Sequence, residues 1–131
     1  MRMGEAAARA ALACVGARFR PQGRDVDYGL DCVGVAAAAY GVAVPGDYAL
    51  RGGDPAVVGM RIEAAGLRRL DGKDAQAGDL MLIQAGPAQL HLGVWTWDGF
   101  VHAHAGLRRV VETPGWPEAP VLAMFRMMEA R

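Results

Sequence analysis

The stretch from Gly29 to Tyr40, Gly-Leu-Asp-Cys-Val-Gly-Val-Ala-Ala-Ala-Ala-Tyr, constrains this chain more than any other. Asp31 is placed to cap a helix, because its carboxylate can accept from the free N–H groups of a first turn. Cys32 then falls at the first helical position. The run from Val33 to Tyr40 is almost wholly apolar, so the helix must be buried. A helix start carries partial positive charge, which favours thiolate over thiol, so a nucleophilic cysteine is well placed there. A lone cysteine in such a helix is ordinarily a small core residue. The histidines some 60 residues downstream shift that balance.

Composition removes the main competitors. The chain of 131 residues has no serine and no asparagine, and threonine occurs only at Thr96 and Thr113. A side-chain nucleophile of the Ser/Thr/Cys kind is therefore a cysteine. The length is that of one domain, residues 1–131, with room for a real core. Formal net charge is zero, which gives no electrostatic case for nucleic acid or an anionic membrane. Two cysteines, Cys14 and Cys32, are too few for a disulfide scaffold. Glu5 and Arg9 interrupt the Ala-rich N-terminal run, so it reads as an amphipathic helix and not a signal peptide. No stretch approaches the ~20 apolar residues of a membrane span. Synthesis in a reducing cytoplasm is expected.

The pattern predicts a first helix over Glu5–Ala17 with Cys14 in its core face, a polar loop from Arg18 to Asp25, and the Cys32 helix stopping at Gly41. An irregular stretch from Val42 to Pro55 follows, in which Asp47 and Tyr48 could approach a site. Asp54 and Pro55 open a third helix, closed by Gly66. Short strands are expected at Leu67–Leu70, Leu80–Ile83, Leu90–Trp97, Phe100–Ala105, Leu107–Glu112 and Val121–Arg126, with a Pro-rich stretch from Thr113 to Pro120. Helices first and strands second predict an α+β fold with an antiparallel sheet.

All three histidines, His91, His102 and His104, lie in one hairpin. Alternation puts His102 and His104 on one face. A two-residue Asp98-Gly99 loop would leave His91 about 13 Å from that pair along the strand. A type I turn at Trp97-Asp98 with Gly99 in a left-handed bulge would instead set Gly93 opposite His102 and His91 opposite His104. A shared site requires the second register, in which Gly93 would also leave room for a ring. The chemistry is then thiol acyl transfer. Cys32 attacks a carbonyl carbon, His91 takes and returns the proton, a second polar group orients His91, and the Cys32 N–H faces the oxyanion. Zinc on the three histidines and Cys32 is the other use of such a set, but the spacings match no common zinc pattern.

Four motifs in order resemble the NlpC/P60 cysteine peptidases, a papain-like fold. Leu30-Asp31-Cys32-Val33-Gly34 is similar to that family's D-C-S-G segment. Ala77-Gly78-Asp79-Leu80 is similar to its P-G-D-L turn. Leu90-His91-Leu92-Gly93-Val94-Trp95 resembles its H-V-G-I-Y strand, and Phe100-Val101-His102-Ala103 its strand ending in I-H-A. The likeness runs from Glu5 to about Phe125. With Leu107-Arg108-Arg109-Val110-Val111, it is nearest the small phage-tail and gene-transfer-agent cell-wall peptidases.

The resemblance implies N-terminal helices, including the nucleophile helix, packed on an antiparallel sheet. It also implies Cys32 as nucleophile, His91 as base and His102 as orienter, with His104 the other candidate for that role. Asp31, Tyr28 and His104 would border the substrate, without metal or cofactor. The implied substrate is the peptidoglycan stem peptide, at the bond after D-γ-glutamate, and the implied partners are phage-like tail proteins in a particle. Two positions depart from the family. Val33 stands where Ser often follows the cysteine, and Phe19 where a Tyr often serves the oxyanion, with Tyr28 nearby in sequence. A tail component with a decayed site, and an amidase or acyltransferase on the same fold, are the rival expectations.

Overall fold

The Cys32 helix sits where its composition requires, inside the molecule. The computed structural model describes residues 3–42, 53–71 and 74–128; Asp47 and Tyr48 lie outside these. Helix α1 spans Met3–Ala13, α2 Cys32–Tyr40 and α3 Pro55–Ala64. Between α1 and α2, where the sequence pattern predicts a polar loop, lies a ribbon of β1 (Arg24–Asp25) and β2 (Gly29–Leu30). The strands β3 (Leu67–Arg69), β4 (Leu80–Gly86), β5 (Gln89–Trp95), β6 (Gly99–His104), β7 (Arg109–Pro114) and β8 (Val121–Met127) form one antiparallel sheet in the order β3-β8-β4-β5-β6-β7. This is the expected α+β arrangement of helices on an antiparallel sheet.

Local chemistry sets the ends of α2. The Asp31 carboxylate accepts from the Gly34 N–H at 2.8 Å, and Gly41 closes the helix in the left-handed conformation at φ 67°. Most of α2 is buried, and the Tyr40 hydroxyl donates to the Gly78 carbonyl at 2.8 Å. Gly34 is a point of contact, since a Cβ there would strike the Gly23 carbonyl oxygen. The ribbon therefore lies directly on the first turn of α2.

The sheet is buried on both sides, which explains why Leu80-Met81-Leu82-Ile83 is continuously apolar. Leu80 and Leu82 join Leu92, Val94, Val101 and Ala103 in the main core under α1 and α2. Met81 and Ile83 join Phe100 and Met124 in a smaller cluster on the far side. Asp79, just before β4, is almost wholly buried. Its carboxylate accepts from Arg126 Nε at 2.9 Å and Nη2 at 2.8 Å, and from the Gln76 N–H at 2.8 Å, so the turn before β4 is tied to β8.

The β5–β6 register is the one a shared histidine site requires, and the loop is at Trp97-Asp98 as that register predicts, but without the bulge at Gly99. Val94 pairs with Val101 and Trp95 with Phe100. The closing bond runs from the Thr96 N–H to the Gly99 carbonyl at 2.8 Å, so the loop is Trp97-Asp98. Gly99 is not left-handed; it belongs to β6 and pairs with Pro114. A Cβ on Gly99 would run into the Thr113 carbonyl, so this glycine serves the approach of β7 and not the turn. The space above Gly93 is filled by Phe100, 3.0 Å from where a Cβ would stand, and not by a histidine.

Candidate active site

Cys32, at the start of α2, and the three histidines of the β5–β6 hairpin line one cavity of about 540 Å³, together with Phe19 and Asp31. His91 Nε2 lies 2.9 Å from His102 Nδ1, and His102 Nε2 lies 2.8 Å from Thr113 Oγ1. The His102 ring is clamped, stacked on Phe100 at 4.5 Å between centroids and edge-on to His91 at 5.1 Å. His104 does not bond to His91. Its Nδ1 accepts from the Leu107 N–H at 3.0 Å, and its ring lies 5.7 Å from His102. Of the two candidate orienters, His102 is the one in hydrogen-bond contact with His91.

This chain of bonds can run in two directions, because each ring nitrogen and the threonine hydroxyl can donate or accept, and the direction decides what each nitrogen can do. When His91 Nε2–H donates to His102 Nδ1, His102 must carry its proton on Nε2, and Thr113 Oγ1 accepts it. The lone pair of His91 then resides on Nδ1, the nitrogen left to take a proton. The opposite direction would protonate His91 Nδ1 and remove the base. Among the described residues no group of three or more His, Cys, Asp or Glu is arranged to hold a metal ion.

The electrostatics differ from the expectation of a low-pKa thiol. Burial pushes the Cys32 thiol up to about 12, and the Asp31 carboxylate beside it adds to the rise. The backbone N–H groups of Leu92, Val33 and Cys32 oppose it without reversing it. Desolvation outweighs the helix start here. Burial also lowers His91 to about 4, helped by His104, and lowers His102 to about 4, helped by His91 and His104. The resting site is thus a neutral thiol beside neutral imidazoles, and not a thiolate–imidazolium pair.

The remaining expected residues fall as follows. Asp31 borders the cavity, but the protein itself engages its carboxylate: Oδ1 accepts from Gly34 N–H and Arg24 Nη1, and Oδ2 from Gln22 N–H, each at 2.8 Å. These bonds lock the ribbon to the first turn of α2. Tyr28 is 72% exposed and does not line the cavity, whereas Phe19 does. Cys14 is buried in the turn that follows α1, its thiol donating to the Ala10 carbonyl, and burial raises its pKa. Sequence reasoning missed Thr113, which it assigned to a Pro-rich irregular stretch. The signal was available: Val110-Val111-Glu112-Thr113 continues a strand alternation, and His102 pairs with Val111, which puts Thr113 on the same face two residues along.

No protein-family model matches the chain, and no curated protein sequence matches it. Solved structures do. NlpC1 from Trichomonas vaginalis superposes with a TM-score of 0.70 at 17% identity, over 92% of this chain and 42% of that one. This chain thus spans less than half the length of that protein. The NlpC/p60 domain of the peptidoglycan hydrolase SagA matches with a TM-score of 0.65 at 22% identity, over 95% and 98% of the two chains. RipD from Mycobacterium tuberculosis, described as a non-catalytic NlpC/p60 domain protein adapted to peptidoglycan binding, matches with a TM-score of 0.63 at 15% identity, over 98% and 99%. Helices on an antiparallel sheet, a cysteine opening the buried helix and histidines on the facing hairpin are here built on the NlpC/P60 fold, the fold of peptidoglycan hydrolases and of at least one non-catalytic relative of them.

Proposed function

We propose that this protein is a cysteine peptidase that cuts peptidoglycan stem peptides, at the bond between D-γ-glutamate and the diamino acid, as part of a phage-like tail. The observation that carries the reading is the bonded row from Thr113 through His102 to His91, opening on the cavity that Cys32 lines. In the reaction the Cys32 S–H proton passes to His91 Nδ1 as sulfur bonds to the scissile carbonyl carbon. The oxyanion faces N–H groups of the α2 start. His102 steadies the imidazolium through its Nδ1 lone pair. The C–N bond then breaks as His91 returns the proton to the leaving amine. Water, deprotonated by His91, releases the acyl group from Cys32. The stem-peptide substrate is supported by the fold, and the tail role by the sequence likeness around Leu107–Val111. Cytoplasmic synthesis and incorporation in a tail particle belong to the same proposal.

The raised Cys32 thiol favours a second reading, a domain that binds wall peptides without cutting them, as RipD is described. An amidase or acyltransferase would use the same residues on another acyl donor. The deciding experiment incubates purified Gram-negative peptidoglycan with wild type and with Cys32→Ala and identifies released products by mass spectrometry. Release by wild type alone, with masses that name the bond, is the expected result. Binding to the wall without release by either protein overturns the peptidase reading.

A further inference from the structure

Four exposed arginines, Arg18, Arg20, Arg108 and Arg109, lie on the segments that adjoin the cavity lining at Phe19 and at His104–Gly106, without a carboxylate to pair with. Arg109 on β7 sits directly across from His104, a cavity residue, and Arg18 bridges Arg109 on its other side. Cross-strand partners share a face of a sheet, so His104, Arg109 and Arg18 form a row. Arg20 follows the cavity residue Phe19 in sequence, with its side chain running over Gly29 of β2, and Arg108 follows the Ala105–Gly106 wall by two residues. The Phe19 N–H donates to the Arg108 carbonyl at 3.0 Å, which ties the two arginine-bearing segments together.

All four side chains are exposed, and among the described residues no acid pairs with any of them. The acids at hand are otherwise engaged or apart. Asp31 is held by Arg24, Glu112 lies 2.7 Å from the Thr96 hydroxyl, and Asp25 accepts from the Asp27 N–H on the ribbon turn. Arg108 has φ 57°, a left-handed conformation that glycine would adopt without strain. In a chain of zero net charge, this concentration of cations beside the cavity needs a reason.

We infer that Arg18 and Arg109, flanked by Arg20 and Arg108, recognise a free carboxylate on the peptide bound in the cavity. The inference rests on the stem-peptide reading and adds a selectivity to it: stems with free acid groups over amidated ones. A guanidinium matches a carboxylate bidentately. Adjacent strands lie about 4.8 Å apart, which puts Arg109 and Arg18 roughly 5 and 10 Å from His104. An extended peptide advances about 3.4 Å per residue, so the carboxylate read is within two or three residues of the scissile bond.

The test measures binding of two synthetic stem peptides to the Cys32→Ala chain by calorimetry, one with free carboxyls and one with those groups amidated. The acid form is expected to bind about tenfold tighter, with the preference shrinking as salt is added. Arg18→Gln/Arg109→Gln in the same background is expected to abolish the preference while leaving the amidated affinity unchanged. Both side chains are exposed, so the fold is not at stake. Equal affinity for the two peptides, no binding of either, or a preference that survives the double variant would each overturn the inference. The underlying reading is separable. Hydrolysis of both stems at equal efficiency by the Cys32 protein removes the rim and keeps the peptidase. Preferential binding without hydrolysis keeps the rim and removes the peptidase.

Discussion

Thr113→Val replaces the hydroxyl at the end of the histidine row by a methyl of similar size. The His102–Thr113 bond is neutral, 2.8 Å long, and made by a ring only 8% exposed. A hydrogen bond of that kind contributes about 1 kcal/mol, and a buried donor left without a partner costs about 1–3 kcal/mol. His102 escapes part of that cost by moving its proton to Nδ1, which forces His91 Nε2 to accept and His91 Nδ1 to carry the proton. The base is then present in a minority of molecules. A tautomer shift of about 1.4 kcal/mol corresponds to about a tenfold loss of kcat, with KM unchanged because Thr113 does not line the cavity. Thr113→Ser is expected to restore kcat. The assay is stem-peptide hydrolysis by the three proteins, paired with the imidazole ¹⁵N shifts of His91 and His102, which report the tautomer whether or not turnover occurs. Unchanged tautomers together with unchanged kcat in Thr113→Val would refute the argument that Thr113 sets the direction of the row.

Three further outcomes are expected. Cys32 should react with iodoacetamide at neutral pH more slowly than a free exposed thiol and accelerate through strongly alkaline pH, since burial lifts its thiol to about 12; rapid alkylation at pH 7 would contradict that lift. Stability should fall as the pH drops from about 6.5 toward 4. His91 and His102 bind protons in the folded state only near 4 but at about 6.5 when unfolded, so the unfolded chain holds more protons in that window. The stability they contribute is complete above 6.5 and lost below it, and a melting series with His91→Gln/His102→Gln should show a flatter acid limb than wild type. Gly34→Ala forces a Cβ against the Gly23 carbonyl, a backbone atom that cannot swing away. A loss of about 1–3 kcal/mol, or several degrees in Tm, is the expected result, and an unchanged Tm would show that the ribbon does not rest on α2.

What the sequence made legible is what short-range chemistry decides. Asp31 before Cys32 and an apolar run give a capped, buried helix, and the structure begins that helix at Cys32. Asp54-Pro55 opens α3 in the same way. The hairpin shows where local signals mislead. Asp98-Gly99 reads as a turn because glycine is most often needed for a positive φ. Here Gly99 answers a long-range demand, the approach of the Thr113 carbonyl, which no window of sequence contains. The register nevertheless came out right, because it followed from asking which offset brings the histidines together. Thr113 and the β1–β2 ribbon were missed for a related reason. Each is defined by a partner distant in sequence, His102 for the one and the first turn of α2 for the other. The thiol shift escaped because composition shows a helix start but not how deeply the sulfur is buried.

That burial is also what separates the two readings of the site. With the thiol near 12 and the imidazole near 4, the proton lies far on the sulfur side, and no thiolate stands ready beside His91. An enzyme with this resting state must move the proton in the same step as the attack, when charge leaves the sulfur for an oxyanion held by N–H groups. The imidazolium formed at that moment needs an acceptor at Nε2, and His102 Nδ1 lies there at 2.9 Å. A domain that only binds wall peptides has no use for an acceptor in that place, nor for a threonine bonded behind it. The row therefore argues for chemistry even where the thiol alone argues for a quiet cysteine. The residue that decides between them is the one furthest from the substrate.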